Sequence, residues 1–167
     1  MKISRQPAHL QLFFSICLIV CVFSVSKSTG KDLNGRIGLG ATNLGPGFES
    51  PALSVDWQLN EATAVEVNFA LDNQDTNNVF LLSARYARNL FIENHLHFAI
   101  FIGGGILSKS HAGSNASGYT LDSGVSAKFF LPNLPNLGLN LGSGFRIASP
   151  GALRIRTVAF AGFHYYF

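Results

Sequence analysis

The chain has 167 residues and a formal net charge of +3, which leaves room for one ordinary domain and hardly for two. Lys2, Arg5 and Lys27 carry most of that excess, so the remainder is near neutral and net charge gives no support to a nucleic-acid partner. Both cysteines, Cys17 and Cys21, lie inside one apolar stretch; the chain beyond that stretch therefore has no disulfide and no thiolate metal ligand.

That stretch, Leu10 to Val25, contains no charge and comes after the basic residues Lys2 and Arg5. The pattern is that of a secretory signal peptide. Ser24, Ser26 and Ser28 supply the small side chains of a peptidase site with cleavage near 26–28. An uncleaved anchor is the alternative, but the run falls short of the roughly 20 apolar residues a spanning helix needs. Leu18-Ile19-Val20-Cys21 has the outline of a lipoprotein box, with bulky Val20 where that signal wants a small residue. The organisation expected is a signal peptide over 1–28, a short periplasmic lead over 29–33 and one barrel over 34–167.

From Asn34 onward the dominant signal is alternation, the period of a strand with two unlike faces. In 36–41 the apolar Ile37, Leu39 and Ala41 alternate with Arg36, Gly38 and Gly40. Leu53, Val55, Trp57 and Leu59 alternate with Ser54, Asp56 and Gln58; Val65, Val67, Phe69 and Leu71 alternate with Glu66, Asn68 and Ala70. Phe80, Leu82, Ala84 and Tyr86 oppose Leu81, Ser83, Arg85 and Ala87, and Leu96, Phe98, Ile100 and Ile102 oppose His97, Ala99, Phe101 and Gly103. Tyr119 to Phe129, Leu137 to Ile147 and Leu153 to Phe167 repeat the pattern, for eight strands in all. Segments 42–51, 72–77 and 107–117 read as longer polar loops, 88–94 and 130–136 as intermediate ones, and 60–62 and 148–151 as short turns.

The apolar face carries no charge in this register, while the other face holds Arg36, Asp56, Glu66, Arg85, Asp122, Lys128, Arg146, Arg154 and Arg156. A soluble barrel shows the reverse, greasy within and polar without. The fold class expected is all-β, an eight-stranded antiparallel up-and-down transmembrane β-barrel preceded by a signal peptide. Aromatic side chains fall at two heights, with Phe69, Phe80, Tyr119 and Phe145 toward the external ends and Trp57, Tyr86, Phe129, Tyr165 and Phe167 toward the periplasmic ends. Two such belts are the girdles that rings form at membrane interfaces.

An eight-stranded lumen is filled by side chains, so the charges placed in it must pair. Asp56 and Glu66 are expected level across the second and third strands, with Arg85 and Arg36 on either side. Asp122 is expected to meet Arg154 or Arg156 through the gap left by Gly142 and Gly144 on the strand between, and Arg146 is counted in the same interior network. The glycines on the inner face are expected to make room for arginines; no helix comes after them, so a dinucleotide fingerprint is not supported. His95, His97 and His164 are expected to point inward as satisfied polar residues rather than metal ligands.

The last residues, Phe163-His164-Tyr165-Tyr166-Phe167, with apolar positions alternating back to Ala159, resemble the closing strand of bacterial outer-membrane barrels. The chain after the signal peptide is similar throughout to the small eight-stranded barrels of the OmpA transmembrane domain and OmpX kind. That resemblance implies recognition of Phe163, Tyr165 and Phe167 by the barrel-assembly machinery. It further implies outer-membrane lipid and lipopolysaccharide as surroundings in a Gram-negative bacterium, a monomer, no cofactor, and a structural or surface-interaction role without catalysis. One competing reading is a lipid A hydrolase, since barrels with a His-x-Ser-Asn site exist. Here His111-Ala112-Gly113-Ser114-Asn115, with Asp122 downstream, has one residue too many for that spacing. A secreted soluble barrel holding an apolar ligand and a channel for passive solute flow also compete.

Overall fold

The computed structural model describes residues 33–43, 51–74, 77–111, 114–149 and 152–167. Eight strands run in chain order: β1 (Ile37–Asn43), β2 (Ala52–Asn60), β3 (Thr63–Gln74), β4 (Asn77–Glu93), β5 (Leu96–His111), β6 (Ser114–Leu131), β7 (Leu134–Ala148) and β8 (Arg154–Tyr166). Each pairs antiparallel with the next, and β8 pairs with β1 through partners such as Leu39 and Tyr165. The sheet thus closes into a ring, and closure removes the unpaired edges that an open sheet would leave. The segment read as a signal peptide, both cysteines and the lipoprotein-box reading of Cys21 lie outside the described residues.

Alternation sets which face each side chain occupies, and the ring turns the polar face inward. Ser54, Asp56, Gln58, Glu66, Asn68, Arg85, Asp122, Asn140 and His164 are buried, whereas Leu53, Ile102 and Ile155 are about two-thirds exposed (67%, 65% and 68%). Buried residues are more often polar or charged than apolar. The wall that meets the surroundings is the hydrophobic one.

The strands are longer than their apolar segments. β3 and β4 stay paired to Gln74 and Asn77, and β5 and β6 to His111 and Ser114, so 72–77 and 107–117 are mostly ladder rather than loop. At the other end β4 reaches Glu93 and β6 reaches Leu131, which shortens the connections expected over 88–94 and 130–136. Toward the hairpin tips the outward residues turn polar, as at Ser108, Asn115 and Ser117. The contrast that reveals a strand in sequence is then lost, although backbone N–H and C=O groups still need partners and keep the ladder going. Leu153, expected on the last strand, lies just before it.

Apolar layers cross the ring at both ends. At the end formed by the β2–β3, β4–β5 and β6–β7 turns, Leu33 packs with Phe130 and Tyr166. Residue 33 is therefore part of the barrel and not of a free lead. Gly35 makes this possible: its φ of 71° is a left-handed conformation that side chains disfavour. Its N–H donates to the Gln58 carbonyl while the Arg36 N–H donates to the Leu33 carbonyl, both at 2.9 Å, which folds Leu33 beneath the ring. Toward the opposite, loop end, Ala52, Ala70, Leu81 and Leu107 form the second layer.

Inward glycines accommodate rings. A Cβ on Gly142 would lie 2.2 Å from Phe160 Cζ, and one on Gly38 would lie 2.8 Å from Tyr166 Cε1. Gly142 and Gly144 thus yield space to Phe160 and to close backbone, and not to an arginine crossing toward Asp122. Gly142→Val is expected to destabilise by about 1–3 kcal/mol, the range for overpacking. Gly104→Ala, where the new Cβ meets nothing nearer than 3.3 Å, should change stability far less. Denaturant unfolding monitored by the fluorescence of Trp57, the single tryptophan, measures both; equal losses would contradict the packing account.

Candidate functional site

The lumen holds an ion lattice laid out by strand register. Neighbouring strands align Gly38 with Asp56, Asp56 with Glu66, Glu66 with Arg85, Arg85 with Gly103, Gly103 with Asp122, Asp122 with Arg146, and Arg146 with Arg156. These residues form one row around the ring. The row begins at Gly38, whose β8 partner is Tyr166, and returns to β8 at Arg156, ten residues away. Strands that close with such a stagger are tilted to the ring's axis, so the row climbs toward the loop end as it runs around.

Three carboxylates and three cations fill the middle of this arrangement. Arg85 bridges two acids, with Nη1 3.2 Å from Glu66 Oε1 and Nη2 3.4 Å from Asp122 Oδ2. It crosses to Asp122 over Gly103, where a Cβ would stand 2.7 Å from Arg85 Cγ. Arg146 grips Asp122 with two donors, Nε at 2.8 Å and Nη2 at 2.9 Å, the forked geometry that suits guanidinium to carboxylate. Asp56 accepts from the Lys128 ammonium and the Tyr166 hydroxyl, and from Gln58 Nε2 at 3.1 Å. Glu66 also accepts from Asn68 at 2.7 Å and Asn140 at 3.3 Å.

Aromatic faces complete the packing. The Arg85 guanidinium lies over the rings of Phe160 and Phe101, 4.4 and 5.2 Å from their centroids, and Lys128 lies 5.2 Å from the centre of the Tyr166 ring. Such contacts are favourable in a desolvated setting. A cavity of about 30 Å³ remains among Asp56, Glu66, Arg85, His97, Lys128 and Asn140, room enough for water among polar groups. Its lining is mostly polar and charged, unlike the apolar chamber expected of a soluble binding barrel.

Several expected placements need correction. Arg36 is half-buried near the base and donates to Asn136 Oδ1 at 3.4 Å; Lys128, not Arg36, completes the set around Asp56. Arg154 and Arg156 are exposed, and Asp122 is held by Arg146 and Arg85 instead. The climb of the row explains this: it lifts Arg156 and Arg154 above Asp122, and the inward side chains that β8 brings below them are Val158 and Phe160. His95 is exposed in a turn, while His97 packs edge-on against Phe130 at 5.1 Å and His164 lies 2.8 Å from Ser54 Oγ. Among the described residues no three His, Cys, Asp or Glu side chains group as metal ligands.

The hydrolase reading loses its acid. His111 and Ser114 are paired at the tip of the β5–β6 hairpin, with 112–113 outside the described residues. Asp122 lies eight positions along β6 from Ser114, roughly 26 Å in an extended strand, and is occupied by two arginines.

On the outer wall, Trp57, Phe69, Tyr86, Tyr119, Phe129, Phe145, Phe163, Tyr165 and Phe167 are exposed, between 38% and 71%, and Phe80 is half-exposed. Phe69 and Phe80 pack edge to face at 5.9 Å, and Tyr165 and Phe167 at 5.3 Å. In β8, Phe163 and Tyr165 lie opposite Ala41 and Leu39 of β1, so the closing seam carries the terminal aromatics. Sequence reasoning put Tyr166 and Phe101 on the inner face without giving them a part in the lattice, and left out Phe130 and Phe160. The parity of the neighbouring His164 and Gly162 was the signal that would have placed Phe160 inside.

A solved structure shares this architecture. In fold the chain is similar to the N-terminal β-barrel domain of Pseudomonas aeruginosa OprF, with a TM-score of 0.53 and 12% identity over 82% of this chain and 100% of that one. The likeness is one of fold. Weaker similarities, which add nothing to it, are to Neisserial surface protein A (TM-score 0.44, 14% identity, 79% of this chain and 94% of that one) and to Ail, the attachment invasion locus protein of Yersinia pestis (0.38, 15%, 79% and 95%). No family model and no curated protein matches the chain.

Arg85 is the test of the lattice. Arg85→Met should cost about 3–5 kcal/mol, since it leaves buried carboxylates short of a counter-charge. Adding Glu66→Gln should recover part of that loss in the same unfolding measurement. A single variant as stable as the parent would mean the lumenal charges are solvated rather than mutually held.

Proposed function

We propose that this chain is a small β-barrel of the outer membrane of a Gram-negative bacterium, with a structural or surface-interaction role and no catalytic one. The observation that carries this reading is the inversion of the ring. A continuous wall of Leu, Ile, Val and aromatic side chains faces outward, and ions are sequestered within. Exposed apolar surface on that scale requires a cover, and hydrocarbon covers a closed ring evenly on every side. On that wall the described strands carry charge only at Arg88 and Glu93, both at the turn end of β4.

Under this reading the turn end faces the periplasm and the outward rings form two interfacial girdles. The terminal aromatics Phe163, Tyr165 and Phe167 serve as the assembly signal, read by the barrel-assembly machinery. The segment before Leu33 begins with a cleaved signal peptide, and lipid and lipopolysaccharide surround a monomer. The two apolar layers and the lattice between them support a sealed lumen over a channel. The hairpins that continue past the greasy band, with Ser108, Asn115 and Ser117 on their outer side, support a role in presenting polar strand surface outside the cell.

Fractionation and gel mobility test the location. The expected result is an outer-membrane band that migrates faster unheated than boiled; recovery as a detergent-independent soluble monomer would refute it. Leu141→Arg, on the outer wall, should cost about 2–4 kcal/mol in bilayers, the range for a mid-membrane cation, and much less if the wall meets water. In planar bilayers the protein is expected to give no large steady conductance.

A further inference from the structure

The loop-end mouth carries cations that the lumenal lattice does not use. Lys109 on β5 lies two residues beyond buried Leu107 on the same face, and Arg154 and Arg156 on β8 share the face of buried Val158 and Phe160. All three side chains therefore belong to the inner side of the mouth. The strand neighbours of Lys109 are Val79 and Ala116, that of Arg154 is Ala148, and that of Arg156 is Arg146. None of the three has a carboxylate partner among the described residues. Arg146, the strand neighbour of Arg156, is itself a cation and is held on Asp122.

The layer of Ala52, Ala70, Leu81 and Leu107 lies just beneath. It separates the mouth from Asp56, Glu66 and Asp122 and gives it an apolar floor; Asp72, buried on the mouth side of that layer, shares the row of Val79 and Lys109 and forms no ion pair with the three cations among the described residues. Arg154 shares a row with Ala148, Thr120 and Gly105, and the climb of that row from β5 to β8 lifts Arg154 toward the level of Lys109, so the three cations share one mouth. Like charges gathered on one concave surface repel one another and draw counter-ions.

We propose that this mouth is a binding site for a multiply charged oxyanion, a phosphate ester or condensed phosphate. Arg154 and Arg156 supply planar forked donors that match phosphate oxygens, and Lys109 supplies a point charge. The residues line the inside of the mouth rather than its lipid-facing flank, so the site is open to water. That this water is the cell exterior rests on the membrane reading above; the binding itself requires only the closed ring.

The test is calorimetric titration of the mature protein with sodium pyrophosphate at low salt, in phosphatidylcholine discs and separately in detergent micelles. Saturable binding that weakens with added salt is expected, with at least a tenfold loss in Lys109→Gln/Arg154→Gln/Arg156→Gln. Arg88→Gln, a cation on the outer flank, should bind as the parent does. Phosphatidylglycerol in the disc that competes with pyrophosphate would assign the site to headgroup phosphates, and no competition would assign it to a solute; either outcome keeps the site. Absence of saturable binding, or undiminished binding by the triple variant, overturns it. If the triple variant loses its heat-modifiable band, Arg154→Glu replaces it, and parent-like affinity there is equally decisive. A chain that binds in micelles but will not enter discs fails the membrane reading and leaves the oxyanion site standing.

Discussion

A ring of eight strands encloses a space only about as wide as the side chains that fill it, and this chain puts ions there. The resulting constraint is neutrality at close range. A charge taken from water costs several kcal/mol unless a partner meets it in good geometry. Asp56, Glu66 and Asp122 against Arg85, Lys128 and Arg146 satisfy that requirement. Arg85 is central because it touches two of the acids and stacks on two rings. The wall depends on the lattice in turn, since strands whose inner face could not hold its ions would have no reason to turn their greasy face outward.

The layers above and below give the lattice its surroundings. Leu33, Phe130 and Tyr166 close one end, and Ala52, Ala70, Leu81 and Leu107 close the other. Tyr166 belongs to both systems, with its ring in the basal layer and its hydroxyl on Asp56. Between these layers the polar groups hydrogen-bond one another, a setting in which low dielectric strengthens each bond and penalises any vacancy.

Much of this was legible one residue at a time. The pairing of Asp56 with Glu66 and of Glu66 with Arg85 came from the short turn at 61–62 and an unbroken period of two, because register between adjacent strands is a local property. Lys128 shows where such reading stops: it sits on the expected face, yet its partner Asp56 is on β2 across the lumen, and no adjacent-strand argument joins the two. Arg154 and Arg156 show the other failure. Their parity is inward, but ten residues of stagger, accumulated around the ring, lift them to the rim.

By itself the sequence determined the number of strands, the face each side chain occupies and the inversion of polarity, since these arise from a two-residue period that sets polar and apolar side chains on opposite faces of every strand. Tertiary structure decided how far the strands run past the apolar band, which ions meet across the lumen and which cations are left at the mouth. Those outcomes depend on closure and stagger, which are properties of the whole ring and are encoded in no single strand.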